Sequence, residues 1–342
     1  MTESKGHVMR IQCWSAGLWF GLAAFSAGTS ASMVEGTSNK FWEPLTRIQQ
    51  AAERLNYAGV FVYQAGERMR SSRIVHLVDR SGVHEKLEML DGKAREYIRH
   101  NDEVFSYRPE NQMVVIEKHH ARKHFPAVSF TLNPELEKYY TLKPQASERV
   151  AGMLCDGWLL EARDAARYSY RLWADAQTGL LLKIETLSEQ GTVLEYSAFT
   201  EVQVGGAIER KKIKTGFAGA DHWQQVQYPV SAFDLSAQGW TVPTSVPGFN
   251  RIHELQRHMP GQPETGQVVL SDGISAVSIF IQHEQVDQAQ AEGVMRRGAM
   301  HACNRRIGNY FVTVLGDVPA STVKTIAQSL EFKQLVKPLI KP

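Results

Sequence analysis

Four arginines near the C-terminal end form the cluster best suited to binding an anion. Arg296 and Arg297 are followed closely by Arg305 and Arg306. Forked guanidinium groups bind carboxylates and phosphates through two-point contacts. The cluster therefore predicts a docking surface for an acidic peptide or a phosphorylated lipid headgroup. The alternative is a solvated surface segment, since runs of charge usually lie on exposed faces.

Three histidines, His119, His120 and His124, form a second cluster. A metal site needs histidines that converge with a carboxylate or thiolate in a dry pocket. Here Lys118 and Arg122 lie among or beside the histidines, and their charges repel a cation. We interpret the segment as a solvated basic loop and expect neither a metal ion nor a cofactor.

Standard catalytic motifs do not occur in the sequence. It contains no G-x-S-x-G nucleophile elbow and no P-loop. The His-Glu pairs at His84 and His283 lack the second histidine of a zinc-protease helix. The sequence therefore favours a binding protein, and a hydrolase is the enzyme alternative.

Aromatic residues are concentrated between positions 61 and 199. Most must belong to the core, but a large sheet curved over few helices can enclose more apolar volume than its own side chains fill. We therefore predict a lipid-sized cavity. Its candidate lining residues are Phe61, Tyr63, Tyr97, Phe105, Phe130, Trp158 and Trp173.

The charges of the 342 residues nearly balance, with 38 Lys and Arg against 36 Asp and Glu. This balance does not favour nucleic acid as a partner. Residues 1–31 have the basic, apolar and small-residue order of a secretory signal peptide, with cleavage expected after Ala31. The alternative is an uncleaved N-terminal anchor.

Cleavage at that position leaves two cysteines, Cys155 and Cys303, in an oxidising compartment where a disulfide can persist. A bridge between them would join two distant parts of the chain. The alternative is that Cys155, which lies in the apolar stretch 150–155, is a small buried hydrophobic residue.

Hydrophobic periodicity predicts two domains. In residues 34–210, an amphipathic helix over 41–55 precedes ten or so short strands separated by turn signals such as Asp91-Gly92. These elements predict a mainly β domain, in which a large curved antiparallel sheet is covered by the helix. A linker at 211–236 leads to a small α+β domain at 237–333, whose helix begins near Ala320, and a tail at 334–342.

Five segments, taken in order, resemble the RseB/MucB family of periplasmic sigma-factor regulators. They are LNYAGVFVY at 55–63, EKLEMLDGKAREYIR at 85–99, RYSYRLW at 167–173, LSDGISAVS at 270–278 and GDVP at 316–319. The resemblance implies an unclosed β-barrel domain like that of lipoprotein carriers, followed by a smaller α+β domain that binds the partner. It carries over no catalytic residues.

The resemblance also implies a function and a location. A periplasmic protein of this kind would bind the periplasmic region of a membrane-spanning anti-sigma factor and shield it from regulated proteolysis. A lipid-like signal, such as lipopolysaccharide or a mislocalised lipoprotein, would release it. A periplasmic lipoprotein or lipid carrier is the alternative, and association into a homo-oligomer stays open.

Overall fold

A computed structural model of the protein describes residues 39–118, 125–126, 135–243, 245–258, 264–284 and 291–333. The predicted signal peptide, the histidine cluster at 119–124, Phe130 and the predicted tail lie outside these residues. Across the described ranges, no helix is both long enough and apolar enough to cross a membrane.

One long sheet forms the first domain. Its strands are β1 (Tyr57–Ala65), β2 (Arg68–Asp79), β3 (Gly82–Met89), β4 (Arg95–His100), β5 (Glu103–Arg108), β6 (Met113–Lys118), β7 (Tyr140–Val150), β8 (Met153–Ala162), β9 (Ser169–Asp175), β10 (Leu181–Leu187), β11 (Val193–Val204) and β12 (Gln224–Gln227). Their order across the sheet is β12-β6-β5-β4-β3-β2-β1-β11-β10-β9-β8-β7. All neighbours are antiparallel except β12, which runs parallel to β6. The sheet ends in two edges, which confirms the prediction of a mainly β domain with an unclosed sheet.

Helix α1 (Asn39–Arg54) covers one face of this sheet, as its periodicity predicts. Leu45 and Ile48 are almost completely buried and pack with Leu160 and Leu172 of the sheet. One turn further on, Ala52 joins a second group of buried side chains. The helix therefore holds both halves of the first-domain core together.

The second domain is a smaller sheet covered by one helix. Its strands are β13 (Val230–Ala232), β14 (Trp240–Thr241), β15 (Asn250–Arg257), β16 (Thr265–Ser271), β17 (Ala276–His283), β18 (Gly293–Arg297), β19 (Met300–Ile307), β20 (Tyr310–Gly316) and β21 (Glu331–Phe332). Seven of them form a sheet in the order β13-β15-β16-β17-β20-β19-β18, and β14 pairs with β21. Helix α3 (Ala320–Ser329) buries Val323 and Ile326 against this sheet. A short helix α2 (Leu136–Tyr139) lies before β7 in the first domain.

Residues 140–162 form a hairpin. Two strands, β7 and β8, occupy this region. Ala151 and Gly152 between them both have positive φ, which makes a tight two-residue hairpin turn. Most of β7 is exposed and polar, so its sequence lacks the alternation of a half-buried strand.

The segment predicted as a linker, 211–236, is docked onto both sheets. Strand β12 adds to the first sheet and β13 to the second. Upstream, the Gly216 amide donates to both carboxylate oxygens of the buried Glu96, at 3.1 and 3.0 Å. The Lys86 ammonium lies 2.7 Å from the same carboxylate. The connection between the domains is therefore held against the first sheet.

The possible disulfide between Cys155 and Cys303 is not formed. Cys155 and Cys303 are free thiols in the structure. Cys155 is buried in the first-domain core, whereas Cys303 on β19 packs against the second-domain core. Burial raises the pKa of both thiols, which keeps them protonated and unreactive. The small-hydrophobe interpretation of Cys155 fits its position.

Candidate functional site at the domain junction

The two domains insert turns into one another. Ile274 and Ala299, from two hairpin turns of the second domain, lie buried within the first-domain core. In the other direction, Ala166 of the first domain packs against the second-domain core. The Thr322 hydroxyl at the start of α3 donates to the Ala166 carbonyl at 2.7 Å. The junction is therefore an interlocked contact rather than a flexible hinge between separate bodies.

Arg167 is the centre of this junction, and its side chain is fully buried. Its guanidinium donates to Asp272 Oδ2 and to Asp164 Oδ1, both at 2.9 Å, and to the Pro247 carbonyl at 2.6 Å. Asp164 belongs to the first domain, whereas Asp272 and Pro247 belong to the second. One buried cation thus bonds to acceptors from both domains.

Aromatic rings enclose the guanidinium of Arg167. Its central carbon lies 4.4 Å from the ring centre of Tyr139, 5.7 Å from that of Tyr140 and 5.2 Å from that of Phe249. The Tyr140 hydroxyl also donates to Asp272 at 2.9 Å. Stacking on aromatic faces suits a guanidinium better than an ammonium, which explains an arginine at this position.

Asp272, like Arg167, has several hydrogen-bond partners. Its second oxygen accepts the backbone N–H groups of Ile274 and Ser275 at 2.9 and 2.7 Å. The carboxylate thus fixes the β16–β17 turn while it binds Arg167. Neither Asp272 nor Arg167 belongs to a recognisable catalytic or binding motif in the sequence. Each of them nevertheless lies in a segment that resembles the RseB/MucB family, and that is the one signal that could have indicated them.

Two tyrosines before and within β9 also reach the second domain. The Tyr170 hydroxyl lies 3.1 Å from Ser275 Oγ, and the Tyr168 hydroxyl lies 3.3 Å from His301 Nδ1. His301 Nδ1 is 2.8 Å from the Val318 carbonyl. Burial lowers the pKa of His301, so the imidazole is neutral near pH 7 and bridges the domains without a charge.

A second polar contact forms where the β18–β19 turn meets the first sheet. Glu195 Oε2 accepts the Tyr63 hydroxyl at 2.7 Å and the Ala299 N–H at 3.3 Å. Gly298 precedes Ala299 in this turn with a φ of 61°. A Cβ at Gly298 would lie 2.8 Å from both the Ala65 Cβ and Glu195 Oε2. Only glycine therefore allows the turn to approach the first sheet so closely.

Two carboxyl groups near this contact, those of Glu195 and Asp317, resist ionisation. Burial raises the pKa of Glu195, and the Tyr63 hydroxyl and Ala299 amide only partly oppose that rise. Burial together with the Glu195 carboxyl holds the pKa of Asp317 well above its usual value. The pKa of Tyr63 is raised for the same reasons, and the Arg297 charge lowers it only slightly. The contact is therefore most stable when the carboxyl groups are protonated.

The four predicted arginines divide into two pairs. Arg305 Nη1 donates to the Ala327 and Gln328 carbonyls, at 3.0 and 3.2 Å, and so caps the C-terminal end of α3. Arg306 forms an ion pair with Glu284 at 2.6 Å. These two arginines are occupied within the second domain, which leaves little of either for a ligand.

Arg296 and Arg297 are exposed on β18. The Arg296 Nε donates to the Gly298 carbonyl at 3.0 Å. Within the described ranges, neither arginine forms an ion pair with a carboxylate. Both lie directly beside the turn that docks on Glu195. The docking-surface prediction for this pair therefore stands as a proposal, with its position now set at the rim of the junction.

The predicted cavity residues do not share one face of the sheet. Tyr97 packs against the first-domain core, whereas Phe105 pairs with Ile98 and so lies on the opposite face. Trp158 and Trp173 also point to opposite faces, because their cross-strand partners are Leu172 and Gly157. Phe61 is buried in the core under α1, and Tyr63 bonds to Glu195. Phe61, Tyr97 and Trp173 contribute to one group of core side chains, whereas Trp158 packs against the other group.

The buried pair of Arg167 and Asp272 generates a stability prediction. Asp272→Ala should lower the free energy of unfolding by about 3 to 5 kcal/mol, because it leaves the Arg167 charge buried without its main partner. The double variant Arg167→Met and Asp272→Leu should lose clearly less, since no buried charge remains. Urea unfolding of the full chain measures both. Equal losses in the two variants would contradict the central role of the charge pair.

The carboxyl pair generates a pH prediction. The pKa of Glu195 is higher in the folded protein than its usual value of 4.5. The stability that the Glu195 side chain contributes is therefore complete below pH 4.5 and is lost as the pH rises through the folded pKa. Glu195→Gln keeps an acceptor for Tyr63 and Ala299 but cannot ionise. Relative to this variant, the native protein should lose about 1.4 kcal/mol for each unit by which the pKa is raised. Thermal unfolding from pH 4 to 8 tests this, and parallel curves for the two proteins would refute it.

Comparison with protein families gives two matches along the chain. Residues 42–217 match the MucB/RseB N-terminal domain, and residues 234–331 match the MucB/RseB C-terminal domain. The chain is 28% identical over 297 residues to the "Sigma factor AlgU regulatory protein MucB" of Pseudomonas aeruginosa, covering 84% of this chain and 89% of that protein. It is 25% identical over 326 residues to the "Sigma-E factor regulatory protein RseB" of Escherichia coli K12, covering 92% and 98%.

Solved structures share the fold. A structure of MucB in complex with MucA(peri) superposes with a TM-score of 0.64 at 22% identity, covering 86% of this chain and 100% of that one. A Pseudomonas aeruginosa MucA/MucB complex gives a TM-score of 0.67 at 24% identity with the same coverage. Both domains and their order are thus common to the solved proteins and to this one. The chain belongs to the MucB/RseB family.

Proposed function

We propose that this protein is a periplasmic regulator of a sigma factor, which acts by binding the periplasmic region of a membrane-spanning anti-sigma factor. The observation that carries the proposal is the match of both domains, in order, to a family whose solved members include MucB bound to MucA(peri). Bound to that region, the protein shields it from proteolysis. The mechanism is binding and release, and it needs no catalytic group.

The rim of the junction is the place where such a partner is best held. Arg296 and Arg297 lie next to the turn that docks on the first sheet, and within the described ranges no carboxylate neutralises them. An acidic segment bound there would contact the second domain while lying against the junction. Charge-assisted bonds from arginine to carboxylate are about twice as strong as neutral hydrogen bonds.

Release by a lipid-like signal is the second part of the proposal. The core face of the first sheet carries Phe61 and Tyr97 and is covered by helix α1. The same face carries Tyr63, which bonds to Glu195 and thereby to the Ala299 turn of the second domain. An acyl chain that enters this face would change the contacts on which the docked second domain depends.

Removing the two exposed arginines of β18 tests the partner site. Arg296→Ala with Arg297→Ala should weaken binding of MucA(peri), or of the matching segment from the same organism, by roughly tenfold or more. Arg54→Ala with Arg80→Ala is the matched control, because it removes the same charge from exposed positions of the first domain. Isothermal titration calorimetry at two salt concentrations measures both. Equal affinities in the two double variants would rule out the arginine role.

Binding of lipid should weaken binding of the partner, and the reverse, because both depend on the junction between the domains. Saturating lipopolysaccharide, or a diacylated lipopeptide, should raise the Kd for MucA(peri) by about 5- to 150-fold, and MucA(peri) should weaken lipid binding by the same factor. Titrations in both directions measure the two factors. A ternary complex with unchanged affinities would show that lipid is not the release signal.

A further inference from the structure

The two main sheets have four edge strands, which differ in how well they are protected against pairing with a strand from another chain. Edge strand β7 contains Pro144 and a bulge between Gln145 and Glu148, both of which hinder pairing with another strand. Strands β12 and β13 are only four and three residues long. Pro229 lies between them and cannot donate a ladder hydrogen bond. These three edges carry the ordinary devices that prevent a further strand from adding.

Strand β18 lacks these devices. It has five residues, all of them exposed, with no proline and a regular register against β19 from Gly293 to Arg297. Val294 is 38% exposed and Met295 is 51% exposed, both large for apolar side chains. A regular edge strand with exposed apolar residues is the type that accepts an added strand.

The register shows which backbone groups are free. Arg297 pairs with Met300 across the two-residue turn of Gly298 and Ala299. The two residues that flank a two-residue turn form a hydrogen-bonded pair, in which the N–H of each donates to the C=O of the other. Along the two strands, such pairs alternate with pairs whose residues do not bond to each other. Gly293, Met295 and Arg297 therefore direct their N–H and C=O groups toward β19. Val294 and Arg296 direct theirs outward, where no described backbone group bonds to them.

The side chains indicate what this edge accepts. Val294 and Met295 offer apolar contacts on the two faces of the strand, and Arg296 and Arg297 offer a positive charge on each face. An extended peptide that combines apolar with acidic residues is complementary to both faces. A second copy of this chain is a poorer fit, because pairing two β18 strands would place four arginines on one short ribbon.

We propose that β18 receives an extended acidic segment as an added strand, bonded to the outward N–H and C=O groups of Val294 and Arg296. This inference rests on the proposed function, since it defines how the partner is held at the arginine pair. Backbone pairing supplies affinity that is independent of sequence, and the arginines select acidic residues. The added strand extends the second-domain sheet beside the junction.

Proline substitution at the outward positions tests the backbone contact. Val294→Pro with Arg296→Pro removes both outward donors but leaves the donors that face β19 in place. The matched control, Val294→Ala with Arg296→Ala, also removes the valine and arginine side chains but keeps both backbone N–H groups. The proline variant should bind MucA(peri) about tenfold more weakly than the alanine control. Equal affinities would overturn the added-strand mode and leave the proposed function standing.

Amide hydrogen exchange on the native full chain gives an independent measurement, which does not depend on whether the proline variant folds. Saturating MucA(peri) should slow exchange in residues 293–297, and a bound MucA(peri) that leaves this segment unprotected would overturn the inference. Protection that appears without partner and grows with protein concentration would show self-pairing and would equally overturn it. If the native chain binds neither MucA(peri) nor the matching segment from its own organism, the proposed function fails and this inference fails with it.

Discussion

The docked arrangement of the two domains depends on the burial of one positive charge. A guanidinium removed from water costs several kcal/mol unless it is paired and hydrogen-bonded. Arg167 meets that requirement only when Asp272 and Pro247 of the second domain lie beside Asp164 of the first. Separation of the domains would expose this charge to water on one side and leave the Asp272 carboxylate without its main partner. The charge pair therefore specifies a single docked geometry, even though its net contribution to stability is modest.

The same junction also contains carboxyl groups for which burial makes ionisation unfavourable. Burial raises the pKa of Glu195, and burial together with the Glu195 charge holds the pKa of Asp317 well above its usual value. Tyr63 and the Ala299 amide bond to Glu195, but no arginine or lysine forms an ion pair with it within the described ranges. One side of the junction is thus held by a satisfied ion pair, and the other side by carboxyl groups that resist ionisation. A contact of this kind is poised to respond to a ligand that changes the packing of either domain.

The sequence predicts those parts of the fold whose residues alternate or repeat at helical spacing. Helices α1 and α3 and the meander β1–β6 have such patterns, because each buries one face in a core. Strand β7 has a polar, proline-containing sequence because it lies at an edge, and β18 is exposed on both faces. Neither strand could be predicted from periodicity, since periodicity reports burial on one face.

The candidate site was predictable only in its residue types. Arginines 296 and 297 are exposed as expected, whereas Arg305 lies at the end of α3, a contact between elements that spacing along the chain does not reveal. The pairing of Arg167 with Asp272 joins residues 105 positions apart. No pattern among neighbouring residues in the sequence indicates such a pair. Only the family resemblance of the two segments that contain these residues pointed toward them.

Hairpin β18–β19 connects the two features that the proposed function needs. Its turn is fixed in the first domain by Ala299, which is completely buried there, and by the Glu195 bond. Its outer strand presents the outward backbone groups of Val294 and Arg296 and both exposed arginines. A segment bound to that edge therefore lies on an element whose position depends on domain docking. Tyr63 links the same turn to the core face of the first sheet, where an acyl chain would enter. In the proposed mechanism, coupling between the two ligands needs no long pathway, because both would act on the same hairpin turn.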